Sequence, residues 1–193
     1  MKVSQHMVFE TPGEHNTNDC IEAVRQYVGE NGLTPVVVAS TTGRSAIAFC
    51  RALRTSPARI VVVTHSVGFK EPNRDEFDRE ARRFLAAEGV PVHTGTILTH
   101  SLEKSFMDDF RGVYPGAIIA GALRRFGEGA KVAVEIVMEA CDAGLIPEDA
   151  EVLAVGGTGY GADTVLLVKA KPSKRFLKLE VLDILALPRG RVA

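Results

Sequence analysis

Two stretches of this chain gather residues able to hold an anion. The first is Ser40, Thr41, Thr42, Gly43, Arg44 and Ser45. It follows the β-branched run Val36, Val37, Val38, Ala39 and precedes apolar residues at helical spacing, Ala46, Ile47, Phe49, Cys50 and Leu53. That order is strand, turn, helix. A helix start offers free backbone N–H groups, and here they are joined by hydroxyls, a glycine and an arginine, which is the chemistry a phosphate requires. One exposed helix-terminus contact contributes only about 0.3 to 1 kcal/mol, so a phosphate site needs several donors acting together. The same residues also fit a hydroxyl-capped helix start that holds no ligand.

The second stretch is Gly156, Gly157, Thr158, Gly159, Tyr160 and Gly161, followed by Ala162, Asp163 and Thr164. From Gly157 to Ala162 its letters match G-x-G-x-x-A, yet that fingerprint must open a helix, and Thr164 to Val168 reads as a strand. A dinucleotide site of the Rossmann type is therefore excluded, and the chain contains no G-x-x-x-x-G-K-[ST] phosphate loop. What remains is a flexible glycine connection that can close over a ligand as a lid, with Thr158, Asp163 and Thr164 beside it. A wide strand connection without a ligand is the plainer alternative. Asn16 and Thr17, at the start of the first helix, would reach the same edge or simply cap that helix. Thr64 and His65, at the end of a second strand, would line the pocket.

These loops need a scaffold that brings them to one edge. Strands are expected at residues 36–39, 60–63, 90–92 and 152–155, and the runs 164–168 and 176–185 read as a terminal β-hairpin broken at Lys171, Pro172, Ser173 and Lys174. Helices are expected from Asn16 or Thr17 to about residue 30, from Gly43, over about 73–88, within 99–111 and over about 130–143. In the 73–88 segment Asp75 with Arg79 and Asp78 with Arg82 stand four apart, as a solvated face would. Glycines and Pro115 interrupt residues 94–129 repeatedly. Uniformly apolar strands alternating with helices imply an α/β three-layer sandwich with a mostly parallel central sheet. In such a sheet, strand carboxyl ends and helix amino ends share one edge, where ligands bind.

Bulk properties narrow the function. The 193 residues, 46% hydrophobic, suit one domain spanning 1–193. A formal charge of -1, from 23 basic and 24 acidic side chains, supplies no general field for nucleic acid or an anionic membrane. The basic cluster Lys169, Lys171, Lys174, Arg175 and Lys178 reads as a solvated turn. Cys20, Cys50 and Cys141 form no paired framework, which fits reduced thiols in a cytoplasmic protein. Met1, Lys2, Val3, Ser4, Gln5 and His6 lead into no signal-like apolar stretch, and no apolar run approaches the roughly 20 residues that span a bilayer. The histidines form no zinc motif, so no metal is expected, and no G-x-S-x-G elbow or Cys–His pairing suggests a hydrolase.

From about Thr17 onward the sequence resembles the carboxyl-terminal domain of pyruvate kinase. The resemblance rests on residues 36–46, 57–64, 89–92 and 149–163, four blocks in the right order. In pyruvate kinases that domain is allosteric, and its hydroxyl-rich loop with a glycine-rich lid holds a sugar bisphosphate. Carried over, Ser40 to Ser45 would cradle a phosphate and Gly157 to Gly161 would form the lid. Two departures matter: 193 residues hold no catalytic barrel, so pyruvate kinase activity is not expected, and residues 94–129 are longer than the enzyme's domain has. The chain is closer to stand-alone, mostly archaeal proteins similar to that domain, which share the T-P-G-x-x-N-T start and the G-G-T-G-x-G-A-D-T block. For that group the resemblance implies FMN as ligand, and exposed sheet edges with the enzyme's assembly are compatible with a homo-oligomer. A flavin-dependent oxidoreductase and a non-enzymatic sensor of a sugar phosphate or nucleotide both stay open.

Overall fold

A computed structural model describes residues 6–190; the amino-terminal reading of residues 1–5 lies outside the described residues. The chain runs through β1 (Met7–Phe9), α1 (Thr17–Asn31), β2 (Pro35–Ala39), α2 (Arg44–Leu53), β3 (Arg59–His65), α3 (Arg79–Ala87) and β4 (Val92–Gly95). It continues through α4 (Leu102–Phe110), α5 (Pro115–Leu123), α6 (Glu128–Asp142), β5 (Glu151–Gly156), β6 (Thr164–Lys169) and β7 (Glu180–Pro188). The seven strands form one sheet in the order β1-β7-β6-β5-β2-β3-β4. β2 pairs in parallel with both β3 and β5, β3 pairs with β4 and β1 pairs with β7 in the same sense, and only the pairings of β6 are antiparallel.

Strand alternation sorts the core into two layers. Val36 and Val38 of β2, Ile60 and Val62 of β3, and Leu153 and Val155 of β5 face α1, α2 and α3. Val37, Val61, Val152 and Ala154 point the other way, onto Ala133, Val134 and Val137 of α6. Both faces are buried, so the strands are apolar throughout rather than alternating in polarity, as parallel sheets require. Each fully buried valine contributes roughly 1.5 to 3 kcal/mol. The α/β three-layer sandwich with a terminal antiparallel pair is the architecture that the sequence pattern implied.

Several boundaries differ, each for a local reason. The helix expected over 73–88 begins only at Arg79, because Asp78 takes an extended backbone and its side chain accepts the Ala81 amide as a cap. Asp78 therefore does not pair with Arg82, whose guanidinium instead reaches Asp75 at 3.1 Å. The strand expected at 90–92 shifts to β4 because the Gly89 and Val90 amides are occupied closing α3, on Ala86 and Leu85 carbonyls. The segment 176–185 starts with a 3-10 turn at Ser173–Lys178, and β7 follows it. α6 starts ahead of Ala130, at Glu128. The short strand β1 and the helix α5 were not foreseen; α5 carries Pro115 at its first position, where a proline opens a helix rather than breaking one. Among the described residues no helix is long and apolar enough to cross a membrane.

Candidate functional site

The carboxyl ends of β2, β3, β4 and β5 open onto a cleft of about 380 Å³. Its first wall is the turn between β2 and α2. Ser40 is buried, its amide donates to the Val63 carbonyl of β3, and its Oγ accepts from the Gly43 and Ala46 amides at 3.1 and 3.4 Å. That hydroxyl shapes the turn from inside. Among the described residues the amides of Thr41, Thr42, Arg44 and Ser45 find no hydrogen-bond partner, so the helix start keeps free donors on the cleft edge. Gly43 is the residue that allows the turn. Its φ of 92° is left-handed, and a Cβ there would lie 2.5 Å from Ala81 Cβ.

The glycine loop, residues 157–163, connects β5 to β6 as expected for a crossing between two strands. Its anchor is Asp163, fully buried, whose Oδ2 accepts the Gly13 and Thr158 amides at 3.0 and 3.1 Å and whose Oδ1 accepts from Thr164 Oγ1 at 2.9 Å. Gly161 presses on the 3-10 turn Glu14–Asn16: its φ is +74°, and a Cβ would meet Glu14 Cα at 2.4 Å. Thr17 Oγ1 donates to the Glu14 carbonyl and accepts the Ala162 amide at 3.0 Å. The capping role expected of Asn16 or Thr17 is not found. Asn16 instead donates its side-chain amide to the Thr11 and Gly13 carbonyls, tying down the loop that Asp163 also holds. Above the mouth, the half-exposed Tyr160 ring has the Arg44 guanidinium carbon 5.2 Å and Lys70 Nζ 5.9 Å from its centroid.

Opposite the loops stands α6. Lys131, Glu135 and Glu139 recur every fourth residue on one stripe of the helix, all buried and all facing the cleft. Lys131 is ion-paired with Glu135, and Glu135 Oε1 also accepts the amide and hydroxyl of Thr99 at 3.0 and 2.6 Å. Glu139 Oε2 has no hydrogen-bond partner among the described residues. Burial, reinforced by the Glu135 carboxylate, pushes the Glu139 carboxyl up to about 8. Across the cleft, His65 Nε2 is 3.2 Å from Glu76 Oε2, and Lys70 Nζ is 3.0 Å from Glu76 Oε1. The Phe69 ring packs 4.5 Å from His65 and 6.5 Å from His100, centre to centre. Burial and the Lys131 charge hold His100 below its ordinary range, which favours the neutral imidazole.

The structure thus brings Ser40, Thr41, Thr42, Arg44, Ser45, Thr64, His65, Gly157, Gly159 and Gly161 onto one cleft. Asn16, Thr17, Gly43, Gly156, Thr158, Ala162, Asp163 and Thr164 are not on its walls; those with the contacts described above shape the loops from behind. Sequence reasoning named Tyr160 only as part of the glycine loop, and it missed Phe69, Lys70 and above all the α6 stripe. The spacing of Lys131, Glu135 and Glu139 in an otherwise apolar helix is the signal that could have found it. Among the described residues no cluster of His, Cys, Asp or Glu is arranged to hold a metal ion. A family model for the pyruvate kinase alpha/beta domain matches residues 18–168, from the first turn of α1 into β6, with both loops inside the match. The chain belongs to the pyruvate kinase alpha/beta domain family.

Proposed function

We propose that this cleft binds a phosphorylated small molecule, FMN in the first instance, the ligand implied by the resemblance to stand-alone archaeal-type proteins. The observation that carries the reading is the row of unpartnered amides at Thr41, Thr42, Arg44 and Ser45, opening onto a cleft of about 380 Å³ under a glycine lid. A phosphate ester satisfies several of these donors at once and sits on the positive end of α2. The rest of the cleft fits an aromatic ring system: Val63, Ile97, Val132 and Ile136 supply apolar wall, and Phe69 and Tyr160 supply rings. Its volume lies in the range of small-molecule sites.

In this reading the β2–α2 turn holds the phosphate, Arg44 and Lys70 add positive charge at the mouth, and the lid excludes water. A bound flavin would supply hydride and one-electron chemistry; the chain's own residues bind and orient it. Purified protein gives the test. A yellow preparation with a flavin absorbance spectrum, or stoichiometric uptake of added FMN by colourless protein, supports the reading. Colourless protein that takes up no FMN overturns it. Thr42→Ala combined with Arg44→Ala weakens the ligand if the phosphate sits on this loop, and unchanged affinity refutes that placement.

A further inference from the structure

The end of the cleft remote from the phosphate turn carries its own chemistry. Ser40 leaves β2 beside Val63 of β3, while Gly95 ends β4 opposite His65. Two strand spacings, about 10 Å, therefore separate the phosphate turn from Gly95 along the sheet edge. Glu139 lies at that far position. A Cβ on Gly95 would fall 2.1 Å from Glu139 Oε2, so only a glycine in β4 leaves room for this carboxyl. The oxygen is buried and has no hydrogen-bond partner among the described residues, and Glu139 is one of the residues that line the cleft. Leaving a buried polar atom unpaired is unfavourable, and a ligand atom that bonds it removes that cost.

The surrounding charges decide what that atom is. On α6 itself, Lys131 is satisfied by Glu135, Glu135 by Lys131 and Thr99, and Asp142 lies one turn beyond. From β4, His93 Nε2 closes on the same point, 3.0 Å from the Gly95 Cβ position; from β3 and the turn before α4 come His65 and His100. The strands beneath α6 contribute Val37, Val61 and Ala154, which carry no charge. The one lysine among these groups is already paired with Glu135, and burial with Glu135 beside it favours the protonated form of Glu139 at neutral pH. A protonated carboxyl has an O–H to give, and a cleft with apolar walls beside that donor suits a ring carbonyl.

We propose that Glu139 is a ligand-recognition residue, whose carboxyl O–H donates a hydrogen bond to a ring carbonyl about 10 Å from the ligand's phosphate. This inference rests on the phosphate placement above and adds the class of the other end: a phosphomonoester carrying a carbonyl-bearing ring. Deprotonation removes the donor and sets a carboxylate against the carbonyl oxygen, so ring binding is lost as Glu139 ionises.

The test uses the full chain and three probes: FMN, ribitol 5-phosphate, which keeps the phosphate and chain without the ring, and riboflavin, which keeps the ring without the phosphate. Dissociation constants are measured by calorimetry at pH 7 and pH 9, where the phosphate is already doubly ionised. For a carboxyl titrating near 8, FMN binding weakens about tenfold over that range. Ribitol 5-phosphate binding does not change, and Glu139→Gln, whose amide donates at either pH, binds FMN equally at both. Wild-type FMN affinity that stays flat, or a slope that persists in Glu139→Gln, overturns the inference. Riboflavin separates the two readings: if it binds with the same slope and the phosphate adds nothing, the phosphate placement fails and the Glu139 assignment stands. Ribitol 5-phosphate binding without either flavin has the opposite meaning, and if none of the three binds, both readings fall.

Discussion

The two ends of the cleft are built from different materials. The β2–α2 turn offers backbone amides, hydroxyls and a guanidinium that is two-thirds exposed (67%), whereas the α6 wall offers buried side-chain charges, with Lys131 and Glu135 at 3% exposure each. Amides at a helix start are fixed by the backbone and need no protein partner where water reaches them. Buried ionisable groups have no such freedom and must be neutralised by a neighbour or by a proton. In the proposed reading the turn therefore carries affinity at little cost to the fold, while the α6 wall couples ligand recognition to stability.

Removing one partner at the α6 wall is the strongest way to break this contrast. Lys131→Met strands the Glu135 carboxylate in the interior, and urea unfolding at pH 7 is expected to show a loss of about 3 to 5 kcal/mol. Lys131→Met with Glu135→Gln recovers most of it, since the glutamine oxygen still accepts from Thr99. A single-variant loss below about 1 kcal/mol would place this pair with exposed ones in kind. Next in size is the pH dependence of Glu139. Its folded-state value is raised from 4.5 to about 8, so the unfolded chain gives up this proton first as pH rises. The stability linked to Glu139 is then complete below about 4.5 and is lost as pH rises through about 8. Glu139→Gln lacks that loss, and by pH 9 it is expected to be the more stable protein by roughly 2 to 4 kcal/mol. Parallel unfolding curves for the two proteins from pH 5 to pH 9 would remove the argument for a protonated Glu139.

The same contrast explains what was legible in the sequence. Val36 to Ala39 and Ile60 to Val63 announce buried strands because their neighbours on both sides of the sheet are apolar, so no periodicity is needed. The β2–α2 turn is legible because its donors belong to the local chain: hydroxyls, Gly43 and a helix start follow one another within six letters. Lys131, Glu135 and Glu139 are not legible in that way. Charges four apart on a helix usually mark a solvated face, the very reading that residues 73–88 attract, and only packing against β4 and the turn holding Thr99 turns this stripe inward. Asp163 shows the same limit. Beside a glycine loop it looks like a ligand contact, and long-range contacts with Gly13 make it a strut instead.

On the side of the turn, Gly43 tests whether shape or composition matters. Gly43→Ala places a side chain at φ 92° and against Ala81, and a loss of about 1 to 3 kcal/mol in urea unfolding is expected. Adding Ala81→Gly removes the closest contact and leaves the Phe77 ring at 3.2 Å and the left-handed backbone strain, so the double variant is compared with Ala81→Gly alone, which carries the cost of a glycine within α3. A double variant as stable as Ala81→Gly would show that the Ala81 contact alone requires glycine.

The smallest expected effect falls on the residue that looks most like a phosphate ligand. Arg44 has its side chain in solvent, 3.6 Å from an equally exposed Glu14 carboxylate and near the Tyr160 ring. A charge held this loosely acts through screened attraction, for which exposed pairs are worth at most about 1 kcal/mol. Arg44→Ala is therefore expected to weaken a phosphate ligand by about fivefold or less at low salt, and by less still at 0.5 M, where the Debye length falls to about 4 Å. Stability should not change measurably. If Arg44→Ala instead abolishes binding at every ionic strength, the guanidinium must swing in and pair directly with the phosphate, and the amides of the turn become the minor contributors.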